Sequence, residues 1–274
     1  MPTAHTRLIA LLGNPVDHSL SPVMQNAAFR AAGVDGMYLA LRCDDDALPG
    51  MLRGIACAGG AGNVTVPHKT AAAALLDRST AAVERTGACN TFWLEDGRVC
   101  GDNTDVAGFD AAVRELVGSP ADARVLLLGA GGAARAVLAA LLDARAGRIW
   151  IRNRSPERAQ ALKTALDPGG GTVALLRDGV PDERVDLVVN ATRLGLQAGD
   201  PLPLDLDTLP GVGAVMDLVY APASTPLAAA ARERGLRAAD GTAMLLAQGA
   251  ASFRRWWGCE APVDVMREAL ARAS

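Results

Sequence analysis

Residues 124–155 read RVLLLGAGGAARAVLAALLDARAGRIWIRNRS. An apolar run at 125–128 ends in Gly129-Ala130-Gly131-Gly132-Ala133-Ala134, a helical stretch follows, and a second apolar run at 148–151 closes the segment. Strand, glycine turn, helix and strand in that order make a parallel βαβ unit. The turn has the GxGxxA form. Gly129 permits the tight turn, Gly131 lets a pyrophosphate approach the backbone, and Ala134 allows close helix packing, while the N–H groups opening the helix form an anion site. Residues Gly129, Ala130, Gly131, Gly132 and Ala133 are therefore dinucleotide-binding candidates.

The end of the second strand selects the dinucleotide. NAD sites place an acid about 20 residues beyond the glycines, whereas this chain reads Arg152-Asn153-Arg154-Ser155. A guanidinium fork suits a ribose 2′-phosphate. Arg154, with Arg158 as a second candidate, thus predicts NADP; a solvated basic turn is the plainer alternative.

Working outward, residues 7–13 read as a strand ending in a glycine, and Pro22 opens a helical stretch. Strand-like 37–43, helix-like 45–59, strand-like 60–66 and helix-like 68–77 repeat that rhythm, with Pro67 suited to a helix start. FWLEDGRVCG at 92–101 carries a hairpin signal at Asp96-Gly97. Helical periodicity resumes at 104–118, and further strands at 185–192 and 212–220 and helices at 225–235, 242–257 and 262–273 follow the βαβ unit. This alternation predicts two parallel α/β layers. The expected domains are 1–102 with the returning 241–274, and 103–240.

The composition narrows the class. The chain has 274 residues, of which 50% are hydrophobic and 21% charged, enough for sizeable cores without covalent staples. With 27 basic against 30 acidic residues, nothing in the net charge attracts nucleic acid or an acidic membrane surface. No run approaches the ~18 apolar residues of a membrane span. Five cysteines without a CxxC pair, and three histidines without ligand spacing, predict a reduced cytoplasmic protein with no structural metal.

Three polar clusters carry candidate chemistry. Ser19-Leu20-Ser21-Pro22 precedes a helix, and two readings fit it, a carboxylate anchor or a helix cap. Asn63-Val64-Thr65-Val66-Pro67-His68-Lys69 puts Asn63 and Thr65 at a strand end and Lys69 in a first helical turn. A lysine there either points to solvent or calls for an anionic partner against the helix dipole. Asp105 in Gly101-Asp102-Asn103-Thr104-Asp105 is such a partner, at another helix start that Thr104 is placed to cap. If the two converge, Lys69 moves a proton while Asp105 orients it, the complement to hydride chemistry on a nicotinamide. His18 and His68 are rival proton carriers.

Taken together, GNPVDHSLSP at 13–22, NVTVPHK at 63–69, GACNT at 87–91, GDNTD at 101–105, GAGGAA at 129–134, NRS at 153–155, NAT at 190–192, DLVYAPASTPL at 217–227 and MLLAQGAASFRRWWG at 244–258 resemble the shikimate dehydrogenase family, which includes the quinate/shikimate dehydrogenases. The resemblance spans essentially the whole chain. It implies a two-domain α/β fold, an N-terminal α/β substrate domain plus a Rossmann-type NADP-binding domain. It implies reversible reduction of 3-dehydroshikimate to shikimate by NADPH, in chorismate and aromatic amino-acid biosynthesis. Ser19 and Ser21 would bind the substrate carboxylate, and Asn63, Thr65, Asn90 and Gln248 would contact the ring hydroxyls or shape their pocket. Lys69 and Asp105 match the catalytic pair. Asn153, Arg154, Ser155 and Arg158 match the adenosine-phosphate loop of NADP-using members, and Asn190, Ala191, Thr192, Tyr220, Gly241 and Met244 would border the cofactor. The partner is a small molecule, and a monomer or homodimer is expected. The departures are Gln25 where the family usually has histidine, Cys89 for valine and Arg193 for serine. They leave room for a quinate/shikimate paralogue, and loss of catalysis would leave a nucleotide-binding regulatory protein.

Overall fold

The computed structural model describes residues 2–197, 199–221 and 224–273. Pro222 and Ala223 of the 217–227 motif, and Ser274 at the end of the expected first domain, lie outside the described residues. The chain forms two compact units, Met1–Gly108 with Leu245–Ser274, and Phe109–Met244. Residues 103–108 and 241–244 thus side with the opposite unit from the one that boundaries at 102/103 and 240/241 give them. Local bonding accounts for this. Asn103 donates to the Thr86 hydroxyl and the Thr104 N–H to Asn90, whereas the Gly241 N–H donates to the Val219 carbonyl.

The first unit runs β1 (Arg7–Gly13), α1 (Ser21–Ala32), β2 (Gly36–Arg42), α2 (Leu48–Cys57), β3 (Ala61–Val64), α3 (Lys69–Ala73), β4 (Arg78–Ser79), α4 (Ala81–Thr86), β5 (Thr91–Glu95) and β6 (Arg98–Asp102), and leads into α5 (Asp105–Val117). Its sheet has the order β2-β1-β3-β5-β6-β4. This sheet is mixed, which corrects the expectation of a parallel layer: β5 runs antiparallel to both β3 and β6. The cause is the Asp96-Gly97 turn, where φ of 50° and 71° gives the mirror-image geometry that two-residue hairpins favour. Strand β1 is buried on both faces. Ile9 and Leu11 pack with Tyr38, Met24, Phe29 and Phe253, while Ala10 and Leu12 pack with Leu48, Leu52, Val64 and Phe92. A central strand covered on both sides reads as a continuous apolar run for this reason.

The second unit continues with β7 (Arg124–Leu128), α6 (Gly132–Asp143), β8 (Arg148–Arg152), α7 (Pro156–Leu166), β9 (Val173–Leu176), β10 (Val185–Asn190), a 3-10 turn at Leu206–Thr208, β11 (Val212–Asp217), α8 (Pro226–Glu233) and β12 (Arg237–Ala239). All its strand pairs are parallel, in the order β12-β11-β10-β7-β8-β9. This is the doubly wound arrangement, whose strand order reverses between β7 and β10 and opens a crevice at their carboxyl ends. Helices α9 (Thr242–Trp257) and α10 (Val263–Ala273) complete the chain, and Phe253, Trp256, Met266 and Leu270 from them join the first unit's core.

Candidate functional site

In the first unit the two helix-start motifs converge. Lys69, the first residue of α3, places Nζ 2.6 Å from Oδ2 of Asp105, the first residue of α5. The side chains are 13% and 6% exposed, so the pair is shielded yet open enough to meet a ligand. Asp105 answers the need of a lysine at a helix N-terminus for an anion, and it is itself favourably placed at one. Its other oxygen, Oδ1, accepts from Asn90 Nδ2 at 2.8 Å. Asn90 is held in turn, because its Oδ1 accepts from the Thr104 backbone at 2.8 Å and its Nδ2 also lies 3.5 Å from Gln248 Oε1. The Thr104 hydroxyl bonds with Asn90 and Ser252.

Asn63 belongs to the same buried network. Its Nδ2 donates to the Asn90 carbonyl and to Ser252 Oγ, and its Oδ1 accepts from the Tyr38 hydroxyl. Both amide hydrogens are spent inside the protein, leaving one lone pair for a ligand. Tyr38 and Ser252 had no signal in the sequence, since an aromatic in a strand and a serine in an alanine-rich helix read as packing. Asp102 was also missed. Its carboxylate takes bonds from Thr80, from the Asn103 N–H and from Arg255, which ties α9 to the segment bearing Asp105.

Thr65 lies next to the serine loop. Its N–H donates to the Leu12 carbonyl and the Asn14 N–H donates to Val66. A Cβ on Gly13 would lie 2.2 Å from the Thr65 methyl group, so only glycine allows this approach. Neither serine caps α1. The N-cap is Leu20 without a side-chain bond, and Ser19 Oγ accepts from the Ser21 N–H at 3.2 Å. Of the rival proton carriers, His18 is exposed and His68 is 1% exposed.

The departures are explained locally. Gln25 is buried and donates to the Gly249 carbonyl. Burial pushes the Cys89 thiol up to about 12, which makes it an inert core residue. Arg193 is exposed. All five cysteines are free, and the described residues contain no cluster suited to a metal ion.

In the second unit Gly129 adopts φ of +108°, and a Cβ there would lie 2.9 Å from the Ala191 carbonyl oxygen. The glycine turn and the Asn190-Ala191-Thr192 loop therefore meet at the crevice. Gly131, the N-cap of α6, has open space where a Cβ would stand, a cradle at a helix N-terminus that fits a pyrophosphate. Asn190 is fully buried and organises its loop: Oδ1 accepts from Thr192 and Nδ2 donates to Leu194 and Asp217. Burial raises the Asp217 carboxyl above its usual range. After β8, Ser155 Oγ caps α7 through the Arg158 N–H, Asn153 donates to the Ser155 carbonyl, and Arg154 and Arg158 are exposed. Tyr220 is half-buried beside the Val219–Gly241 backbone bond, and Met244 is buried. The loop geometry and the exposed guanidinium groups fit a 2′-phosphorylated dinucleotide.

An α/β unit holding a shielded lysine–carboxylate pair, joined to a doubly wound unit with a dinucleotide cradle, has the architecture of a two-domain dehydrogenase. Family models agree along the chain: the shikimate dehydrogenase substrate binding domain matches residues 11–92, shikimate / quinate 5-dehydrogenase matches 111–193, and the shikimate 5'-dehydrogenase C-terminal domain matches 241–271. A shikimate dehydrogenase (NADP(+)) of Rubrobacter xylanophilus is 45% identical, covering 97% of this chain and 96% of the relative. The crystal structure of shikimate dehydrogenase from Aquifex aeolicus superposes with a TM-score of 0.90 at 36% identity over 98% of this chain and 99% of that one. Shikimate 5-dehydrogenase from Thermus thermophilus, solved in complex with NADP(H) and shikimate, gives 0.86 at 39% identity over 98% and 100%. The chain belongs to the shikimate dehydrogenase family.

Proposed function

We propose that this chain interconverts shikimate and 3-dehydroshikimate with NADP as the redox partner, in the biosynthetic route to chorismate and the aromatic amino acids. The observation that carries the mechanism is the 2.6 Å contact between Lys69 and Asp105. Bound NADPH supplies the hydride that reduces the ketone carbon. Lys69 Nζ gives a proton to the ketone oxygen as it becomes an alkoxide, and regains one from solvent. Asp105 holds the ammonium and orients the substrate oxygen, with Asn90 fixing the second carboxylate oxygen. In the oxidising direction Lys69 accepts the hydroxyl proton.

Ser19 and Ser21 anchor the substrate carboxylate, Thr65, Asn90 and Gln248 meet the ring hydroxyls, and Asn63, with its donors spent, shapes their pocket. Gly129 to Ala133 and Asn190 to Thr192 cradle the dinucleotide, Tyr220, Gly241 and Met244 border it, and Asn153, Arg154, Ser155 and Arg158 receive the 2′-phosphate. The same reading places the enzyme in the reducing cytoplasm, where five free cysteines persist. Monomer and homodimer both accommodate it, as every residue named is supplied by this chain.

Steady-state assays of shikimate and quinate, each with NADP and NAD, test ring and cofactor together. Shikimate with NADP is expected to have the highest kcat/KM. Comparable efficiency on quinate would favour the quinate/shikimate reading, and absence of turnover in all four assays the regulatory one.

Two variants refine the assignment. Replacing Ser19 and Ser21 together by alanine should raise the shikimate KM at least ~10-fold and leave NADP affinity unchanged, since hydrogen bonds to a charged group contribute about 1.5–3 kcal/mol each. A folded double variant with unchanged KM removes the anchor. Arg154→Ala should lower kcat/KM for NADP about 10- to 100-fold while sparing NAD, because only the 2′-phosphate uses the guanidinium. Parallel losses with both cofactors, measured at one ionic strength, would contradict the role.

A further inference from the structure

His68 immediately precedes Lys69, yet it faces away from solvent. Its Nε2 lies 2.7 Å from the Cys43 carbonyl oxygen, and its Nδ1 lies 3.0 Å from Oδ1 of Asp45. A carbonyl offers only lone pairs, so Nε2 carries the hydrogen and donates it. The Asp45 carboxylate approaches Nδ1 without hydrogen-bond alignment. Asp45 is 87% exposed, so water weakens that contact. Burial leaves the imidazole no route to a substrate oxygen, which removes it as a proton carrier and leaves its anchorage to be explained.

What the ring anchors is the start of α3. That helix has only five residues, with Lys69 first, and its N-cap is His68 itself without a side-chain cap. Backbone bonds hold the segment on two sides, on one from the Thr65 N–H to Leu12 and from the Asn14 N–H to the Val66 carbonyl, on the other from the Cys89 N–H to the Lys69 carbonyl. The third side, toward the end of β2, is held by the imidazole through the Cys43 carbonyl.

We propose that His68 is a positioning residue for Lys69: its ring pins the 65–69 segment to the end of β2, and so sets Lys69 Nζ against Asp105 and the substrate oxygen. The proposal rests on Lys69 being the proton donor. Displacement of a reacting group by about 1 Å costs on the order of 100-fold in rate, and loss of one of these four tethers is a partial displacement. A loss of about tenfold in kcat follows.

Amide geometry provides the test. The amide nitrogen of glutamine reaches the place of Nε2, whereas that of asparagine stops short of it. His68→Gln should therefore keep kcat within about threefold of the parent, and His68→Asn should lower it about tenfold with NADP affinity unchanged. Placed in a Lys69→Ala background, His68→Asn should have no further effect, because it acts through the lysine. Equal kcat in the Gln and Asn variants, or the same tenfold loss without Lys69, overturns the proposal. So does a His68→Asn protein unfolded at the assay temperature, since the ring would then hold the domain rather than the lysine. Failure of the underlying reading is separately visible, as near-parent kcat in Lys69→Ala alone.

Discussion

Lys69→Ala and Asp105→Asn are each expected to lower kcat by at least ~100-fold while the protein remains folded and binds NADP. In the proposed mechanism Lys69 holds the proton that the alkoxide needs, and Asp105 lies 2.6 Å from the lysine. Neither can replace the other, so the double variant should be little slower than the slower single one. Both variants should fold despite the burial of the pair. Removing the ammonium leaves Asp105 with the Asn90 donor, and breaking a buried pair costs about 3–5 kcal/mol against a total of roughly 5–15 kcal/mol. Single-turnover rates, taken where hydride transfer limits, decide the matter. A folded Lys69→Ala enzyme with near-parent kcat would defeat the assignment, and His18 or a bound water would then have to carry the proton.

The dinucleotide cradle and the lysine–carboxylate pair differed in how far the sequence revealed them. The cofactor half is local: a strand, the 129–134 glycine turn and a helix are contiguous, and the strand order that exposes the turn follows from right-handed βαβ units. The hairpin at Asp96-Gly97 was legible for the same reason. The catalytic half depends on separated segments. Helix-start chemistry singled out Lys69 and Asp105 one by one, but their contact needs β3, β5 and β6 in register, which no local pattern specifies. The mixed first sheet was misjudged because βα rhythm conceals an antiparallel strand until pairing is known. The buried supports Tyr38, Asp102 and Ser252 and the exposed Arg255 escaped notice, as their roles exist only in tertiary contact. Strand β4, with two residues, is too short to show a period, and β9 lies behind the glycine-rich 169–171 segment.

Gly131→Asp should weaken NADP binding by at least ~100-fold without loss of thermal stability. The position is the extended N-cap of α6, with φ of −91°, and a side chain there meets no neighbouring atom. Aspartate is a favoured N-cap, so the fold should be as stable as the parent or more so. The same carboxylate would stand where the pyrophosphate binds. Two like charges about 5 Å apart at an effective dielectric near 20 repel by roughly 3 kcal/mol, which is the expected loss. Fluorescence titration with NADPH, paired with thermal unfolding, separates the two effects. Gly129→Ala gives the contrast, because its φ of +108° and the nearby Ala191 carbonyl predict destabilisation as well as weaker binding. Unchanged NADPH affinity in a folded Gly131→Asp protein would place the pyrophosphate elsewhere.

The most direct test of the reaction follows the transferred atom. NADPH deuterated at both C4 positions of the nicotinamide is incubated with 3-dehydroshikimate and the protein, and the product is isolated and analysed by mass spectrometry and NMR. Shikimate with one deuterium on the former ketone carbon, formed in step with NADPH consumed and not formed by Lys69→Ala at a comparable rate, is the predicted result. Absence of shikimate from the reaction of the folded parent protein, or shikimate lacking that deuterium, would contradict the assignment.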